Sequence, residues 1–380
     1  MSASRLFGPS STTAAMEAAV SDEAWMAALL RFERELAAAE AGLGLIPAAA
    51  AQAIATATME TRFDYETLGV QAVASGTPVL PMLSALRVML TPDVGRHLHH
   101  GATSQDALDS AAMLVSRDAL TLLIEELSEV AADCAALAER HIGSVMIGRT
   151  LLRQARPTTF RLKAASWLDG VLAARRVLLR LRDERMAVQL GGAAGSLDVL
   201  GPAGLDVAEE LGRRLGLLVP ALPWHGERSR IGEIAGGLAM TGAATAKIAL
   251  DVILLSQSEV AEVREGQAGP SSAMPEKRNP ARAVQARAAY EGLLGQVQVL
   301  LGSLVGEQER AAGAWQAEWP ALSAAFRLAA GVATRTRESL HKLEVDIEQM
   351  RRNAGQAAPP GAAADFVSRA LDGYRKEETR

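Results

Sequence analysis

Residues 105–141 read QDALDSAAMLVSRDALTLLIEELSEVAADCAALAERH, without a proline or a glycine. Leu123, Leu127, Val130, Cys134 and Leu137 recur in alternating steps of four and three, which sets them on one stripe of an α-helix. Two more stretches, about 231–265 and 280–311, keep the same rhythm. Ile234, Leu238, Thr241, Thr245, Ile248, Val252 and Leu255 carry it in one; Leu293, Val297, Leu300 and Leu304 carry it in the other. At ~1.5 Å per residue such rods reach roughly 50 Å, more than a small domain needs. They suit a large helical bundle, or an oligomer built through one.

Outward from the rods, residues 158–188 form another helical stretch with arginines on its outer positions. Loops follow at Gly191-Gly192, Gly195, Gly201-Pro202 and between Pro220 and Pro223. The first hundred residues read as shorter helices, and no strand-like alternation stands out anywhere. The fold class is therefore all-α. The expected division is an N-terminal helical domain over 1–104, a central long-helix bundle over 105–345, and a short C-terminal piece over 346–380.

Composition agrees. Aromatics make up only 4% of the 380 residues, so the core must be built from small and straight-chain side chains, which helices favour. The net charge of -5 argues against a nucleic-acid surface. A single cysteine, Cys134, excludes an internal disulfide framework and a cysteine-based metal site. The N-terminus lacks the basic start and apolar run of a signal peptide, and no stretch approaches ~20 uninterrupted apolar residues. The expectation is a cytoplasmic protein with no membrane partner.

Three polar segments interrupt the helices. His97-Leu-His-His-Gly-Ala-Thr-Ser-Gln-Asp106 stands at the start of the first rod. Thr103 or Ser104 there is a natural N-cap, and the free N–H groups of the same helix start suit a carboxylate. A metal reading of the histidines is weak, since no acidic ligand accompanies them at helical spacing. The second segment, 266–280, links two rods by a loop longer than a plain helix hairpin needs. It concentrates paired serines with Lys277, Arg278 and Asn279, the composition of an ordered functional loop. The third, Gly148-Arg-Thr-Leu-Leu-Arg-Gln-Ala-Arg-Pro-Thr-Thr159, offers three arginines, either for an anion or as a solvated helix face. No Gly-x-Ser-x-Gly elbow or Walker loop is present, and Gly191–Gly195 lacks a preceding strand.

Gly269-Pro-Ser-Ser-Ala-Met-Pro-Glu-Lys-Arg-Asn-Pro280 resembles the signature loop of the fumarase/aspartase superfamily. Gly101-Ala-Thr-Ser-Gln-Asp-Ala-Leu-Asp-Ser-Ala111 resembles its other hallmark, in the right order. Leu222-Pro-Trp-His-Gly-Glu-Arg-Ser-Arg-Ile231 and Ala312-Gly-Ala-Trp-Gln-Ala-Glu-Trp-Pro320 look like the 3-carboxy-cis,cis-muconate cycloisomerases, its lactonising branch. The resemblance implies interconversion of 3-carboxy-cis,cis-muconate and 4-carboxymuconolactone in protocatechuate degradation. It also implies an anionic tricarboxylate substrate, no metal or organic cofactor, and a homotetramer whose active sites are each built from three subunits.

By the same resemblance Ser272 occupies the catalytic serine position and transfers the proton. A serine needs nearby cations or N–H groups to act as a base. Lys277 is the matching cation, and Asn279 matches a substrate-carboxylate contact. Thr103, Ser104 and Gln105 match the carboxylate-binding helix start, and His99 matches the histidine preceding it, in a relay or a structural role. Related lyases carry Arg-Thr-His-x-Gln where this chain has Arg149-Thr150-Leu151-Leu152-Arg153, so that histidine is absent. Its absence suits a carboxylate leaving group, which needs no proton, and leaves Arg149, Gln154 and Arg156 as contacts for substrate oxygens. Glu276 adds a negative charge to an anion-handling loop, which nothing in the sequence explains. An adenylosuccinate-type lyase of the same superfamily and a non-catalytic helical assembly protein are the competing expectations.

Overall fold

The structure is a computed structural model, which describes residues 6–266, 269, 271–274, 276–355 and 361–378. Helices α1 (Ala14–Ala19), α2 (Asp22–Gly42), α3 (Ala48–Glu60), α4 (Tyr65–Ser75), α5 (Val79–Val88) and α6 (Pro92–Gly95) precede the first rod. That rod is α7 (Ser104–Arg140). A hairpin follows, β1 (Val145–Thr150) and β2 (Arg153–Thr159), then α8 (Phe160–Glu184) and α9 (Gly204–Leu215). The second rod is α10 (Ser229–Leu255), followed by the short β3 (Val263–Arg264) and the third rod, α11 (Ala281–Gly302). The chain continues with α12 (Ala314–Leu340), β4 (Glu344–Val345), α13 (Ile347–Ala354) and α14 (Ala363–Glu378).

Five long helices make the bundle. α7 packs on α8 and α12, while α10 packs on α8, α11 and α12. The stripe read from sequence is the buried one: Leu123, Leu127, Val130 and Cys134 are fully enclosed. By length and composition α10 could cross a membrane, but Ile234, Leu238, Ile248 and Val252 are buried in this core. Small residues let the helices approach closely. A Cβ on Gly242 of α10 would lie 2.5 Å from Leu293 of α11, and one on Gly331 of α12 would lie 2.2 Å from the Ser11 carbonyl oxygen. Around the bundle, α2 packs on α7, α3 and α9, and α14 lies along α8.

The second and third rods end earlier than their periodicity predicts. Past Leu255, Ser256 turns its hydroxyl back onto the Ile253 carbonyl, and Ala261 takes φ 52°, so the chain turns away into β3. At the end of α11 the Ser303 hydroxyl donates to the Leu300 carbonyl and closes the last turn. Residues 145–159, read as loop and helix start, are instead an antiparallel hairpin. Its two-residue turn is Leu151-Leu152, both with positive φ (50° and 63°), the backbone of the tight turns that match strand twist. β2 ends where the Thr159 hydroxyl accepts from the Leu162 N–H and caps α8.

Candidate active site

The start of α7 is welded in place by Asp106, which is fully buried. One carboxylate oxygen accepts from the Gly191 N–H at 2.9 Å and meets His225 Nε2 at 2.7 Å. The other accepts from the N–H groups of Gly192 and Thr103, each at 2.9 Å. The glycines are required here: Gly192 has φ +69°, and a Cβ on Gly191 would sit 2.8 Å from His225 Cε1. The glycine-rich stretch is thus a receptor for a helix-start carboxylate.

Behind this weld lies a buried polar network. Arg228 donates to both Asp109 oxygens, at 2.7 and 3.0 Å, and also pairs with Glu318. Trp315 Nε1 donates to Asp109 at 3.1 Å, and Trp224 lies under the Arg228 guanidinium. Burial pushes the Glu318 carboxyl up, while Arg228 beside it pulls it down. Both Trp-bearing motifs singled out from sequence therefore serve as backing for the helix start.

In front of it, Thr103 and Ser104 are half-buried at the first turn, and the Ser104 hydroxyl has no partner among the described residues. Gln105 is fully enclosed. Its amide donates to Asp109 and to the His225 carbonyl, and its oxygen accepts from Arg310 Nε at 3.0 Å. Arg310, which also donates to the Ala193 carbonyl, is a cation that sequence reasoning missed. It lies 205 positions from Gln105 in the chain, and only folding places it there. His99, with φ 62°, bonds through Nδ1 to Glu33 of α2 at 2.7 Å; His100 bonds to Glu40 at 3.1 Å.

The long loop lies elsewhere. Backbone bonds between Gly269 and Asn279, 2.8 and 3.1 Å, close its base. Glu265 anchors it from behind by accepting from the Arg282 and Ala283 N–H groups and the Ser339 hydroxyl, which caps α11. Ser272 and Lys277 are exposed, and neither side chain has a partner among the described residues. Lys277, Arg278 and Asn279 line a cleft of about 930 Å³, with Arg264, Glu276 and Glu344 among the facing residues. Ser272 is outside that lining.

The hairpin sits at the same end. Arg149 is held by Glu262 through two bonds of 2.9 and 2.8 Å, and Asn353 donates to the same carboxylate. Gln154, its cross-strand neighbour, is exposed, as is Arg156. Leu151 and Leu152 at the tip are 96% and 78% exposed, with no titratable group between them.

One chain does not bring these pieces together. Arg228, beside the α7 start, immediately precedes α10, whereas Glu262, beside the hairpin and loop, lies beyond its far end. A straight helix of 27 residues separates the two by about 40 Å. The helix start therefore stands at one end of the bundle, and Ser272, Lys277, Asn279, Arg149 and Gln154 stand at the other.

Proteins of known name share this chain's sequence and its bundle of long helices. The profile of a lyase family matches residues 2–298. The chain belongs to the fumarase/aspartase superfamily. It is an enzyme of that lyase and isomerase group. A 3-carboxy-cis,cis-muconate cycloisomerase of Bradyrhizobium diazoefficiens is 40% identical over 357 residues, 92% of this chain and 79% of that protein. A nitrosuccinate lyase of Streptomyces davaonensis is 41% identical over 364 residues, 92% of this chain and 77% of that one. Among solved structures, a 3-carboxy-cis,cis-muconate lactonizing enzyme from Pseudomonas putida superposes with a TM-score of 0.88 at 34% identity. That match covers 99% of this chain and 89% of the other. The all-α fold is thus that of the lyase superfamily, whereas near-equal identity to two named activities leaves the substrate to be argued from the site.

Proposed function

We propose that this enzyme interconverts 3-carboxy-cis,cis-muconate and 4-carboxymuconolactone, without a metal or organic cofactor, in the cytoplasm. The observation that sets this reading apart from an amine-expelling lyase is the hairpin tip. Leu151 and Leu152 stand there with nothing that can protonate a leaving group. Opening the lactone expels a carboxylate, which leaves without a proton; expulsion of an amine gains from one. Nitrite, like a carboxylate, leaves without a proton, so nitrosuccinate is separated by assay.

In lactonisation a substrate carboxylate oxygen bonds to one carbon of a conjugated double bond, and the other carbon, α to a second carboxylate, receives a proton. In reverse, Ser272 takes that α-proton, the electron pair moves into the new double bond, and the ring C–O bond breaks. The intermediate places extra negative charge on the second carboxylate, so fixed donors lower the barrier. Lys277 and Asn279 supply them from the loop; Thr103, Ser104 and the free N–H groups of the α7 start supply them from the helix. Gln105 contributes by holding Arg310. His99 exchanges a proton or hydrogen-bonds at the same helix start. Arg149 acts through the hairpin it ties to Glu262, and Gln154 reaches a substrate oxygen.

Because the two sets of residues lie at opposite ends of one chain, the site is completed between copies, in a homotetramer whose sites draw on three subunits. α11 supports this. Leu293, Val297 and Leu300 are buried, yet Val284, Leu294, Val299 and Leu301 of the same helix face outward. Apolar side chains on the outward face of a bundle helix, set among polar ones, suit cover by another copy. The division at 104 and 345 belongs to the same reading, with the bundle between as the assembly core.

A second reading, elimination from a substituted succinate, is favoured by the nitrosuccinate lyase relative. A panel of 3-carboxy-cis,cis-muconate, nitrosuccinate and adenylosuccinate, followed by ultraviolet absorbance, separates the two. Consumption of the muconate alone is expected; turnover of a succinate adduct with the muconate untouched would overturn the choice.

A further inference from the structure

Three costly features converge on one pair of side chains. His99 holds a left-handed backbone (φ 62°), a conformation that is unfavourable for a non-glycine residue. Glu33 buries its carboxylate completely in α2, and its Oε2 has no hydrogen-bond partner among the described residues. Among the described residues its one side-chain bond is the one Oε1 accepts from His99 Nδ1, at 2.7 Å. Burying a carboxylate on one hydrogen bond is unfavourable, so a fold that merely needed to fill this space would place a neutral residue there.

We propose that Glu33 is a positioning residue for His99, fixing the ring by its Nδ1 so that Nε2 is presented to a substrate carboxylate at the α7 start. Nδ1 is committed to the buried carboxylate, while Nε2 has no protein partner among the described residues, and the side chain keeps 11% of its surface exposed. The helix start lies four residues on, at Thr103. The charged groups acting on the ring come from three helices: Glu33 on α2, Asp106 on α7 and Arg87 on α5. Burial works against a charge on His99, but the two carboxylates outweigh it, and the ring holds its proton to higher pH than a free histidine. Glu33 therefore both aims the ring and favours its cationic form toward an anionic substrate.

The adjacent pair is a built-in control. His100 meets Glu40, also fully buried and also with an Oε2 that has no partner among the described residues, but its ring is 31% exposed and its bond is longer at 3.1 Å. The proposal rests on the reading of the site given above, and the test separates the two. Variants E33Q, E33D, E40Q and H99N are assayed for kcat/KM against pH on 3-carboxy-cis,cis-muconate. Their histidines are titrated in parallel by NMR of 13C-labelled protein. With six histidines in the chain, H99N assigns the resonance.

In E33Q the alkaline loss of activity and the His99 titration should both move to lower pH by about one unit. E33D should recover part of the shift, and E40Q should keep the wild-type profile. H99N should lose at least about tenfold in kcat/KM. Impairment in H99N with an unmoved profile and titration in E33Q would overturn the role of Glu33 while sparing the reading of the site. Normal turnover in H99N would overturn the proposal outright. If wild-type protein leaves the muconate untouched, the function reading fails, and the titration alone still decides whether Glu33 governs His99. If E33Q does not fold, E33D carries the same comparison.

Discussion

Asp106 holds the α7 start by accepting from three backbone N–H groups and meeting His225, all within 2.9 Å. Replacing it by Asn turns an NH2 group toward at least one of those donors. Asp106→Asn should cost about 1–3 kcal/mol and lower the melting temperature, as well as turnover. Glu40 predicts the opposite sign at high pH. Burial first, then the nearby Glu33, pushes its carboxyl from 4.5 up to about 8. The folded state therefore binds this proton more tightly than the unfolded state does. Its contribution to stability is greatest below pH 4.5 and falls away as pH rises through about 8. Glu40→Gln should flatten that fall, so its melting temperature relative to wild type should rise between pH 5 and 8. At this scale the sequence singles out Thr103, Ser104, Ser272 and Lys277 as candidates, because each lies in a local motif. Arg310 and Glu33 were not legible, since their partners lie 205 and 66 positions away and no periodicity links them.

Helix existence is legible wherever the apolar stripe is long, and helix ends are not. The reason is visible at Ser256 and Ser303, where hydroxyls satisfy the last carbonyls while the periodicity continues past them. The hairpin escaped notice because little in residues 145–159 reads as strand. Its register is instead set by the turn at Leu151-Leu152, and the Arg149–Glu262 pair ties it to the chain beyond α10. The small residues in the rods have a quantitative role. Gly331 meets the backbone oxygen of Ser11, which cannot swing aside as a side chain could. Gly331→Ala should destabilise by about 1–3 kcal/mol, read as a lower denaturation midpoint with an unchanged denaturant slope.

For the whole molecule, the decisive fact is separation: the helix start and the serine loop stand at opposite ends of α10. The sequence shows the rods but not which motif stands at which end, because that depends on how the rods fold back on one another. Thr103→Val and Ser272→Ala proteins, each expected to be inactive alone, should regain turnover when unfolded together and refolded as mixed oligomers. Failure to regain it, with mixed oligomers present, would place a complete site within one chain. The central claim is a serine-mediated cycloisomerisation, tested most directly by incubating 3-carboxy-cis,cis-muconate with the purified protein in D2O and identifying the product by NMR. The prediction is 4-carboxymuconolactone carrying one deuterium on the carbon α to the carboxylate, and no product with Ser272→Ala. An unchanged substrate with wild-type protein, or equal conversion by the Ser272→Ala variant, would contradict it.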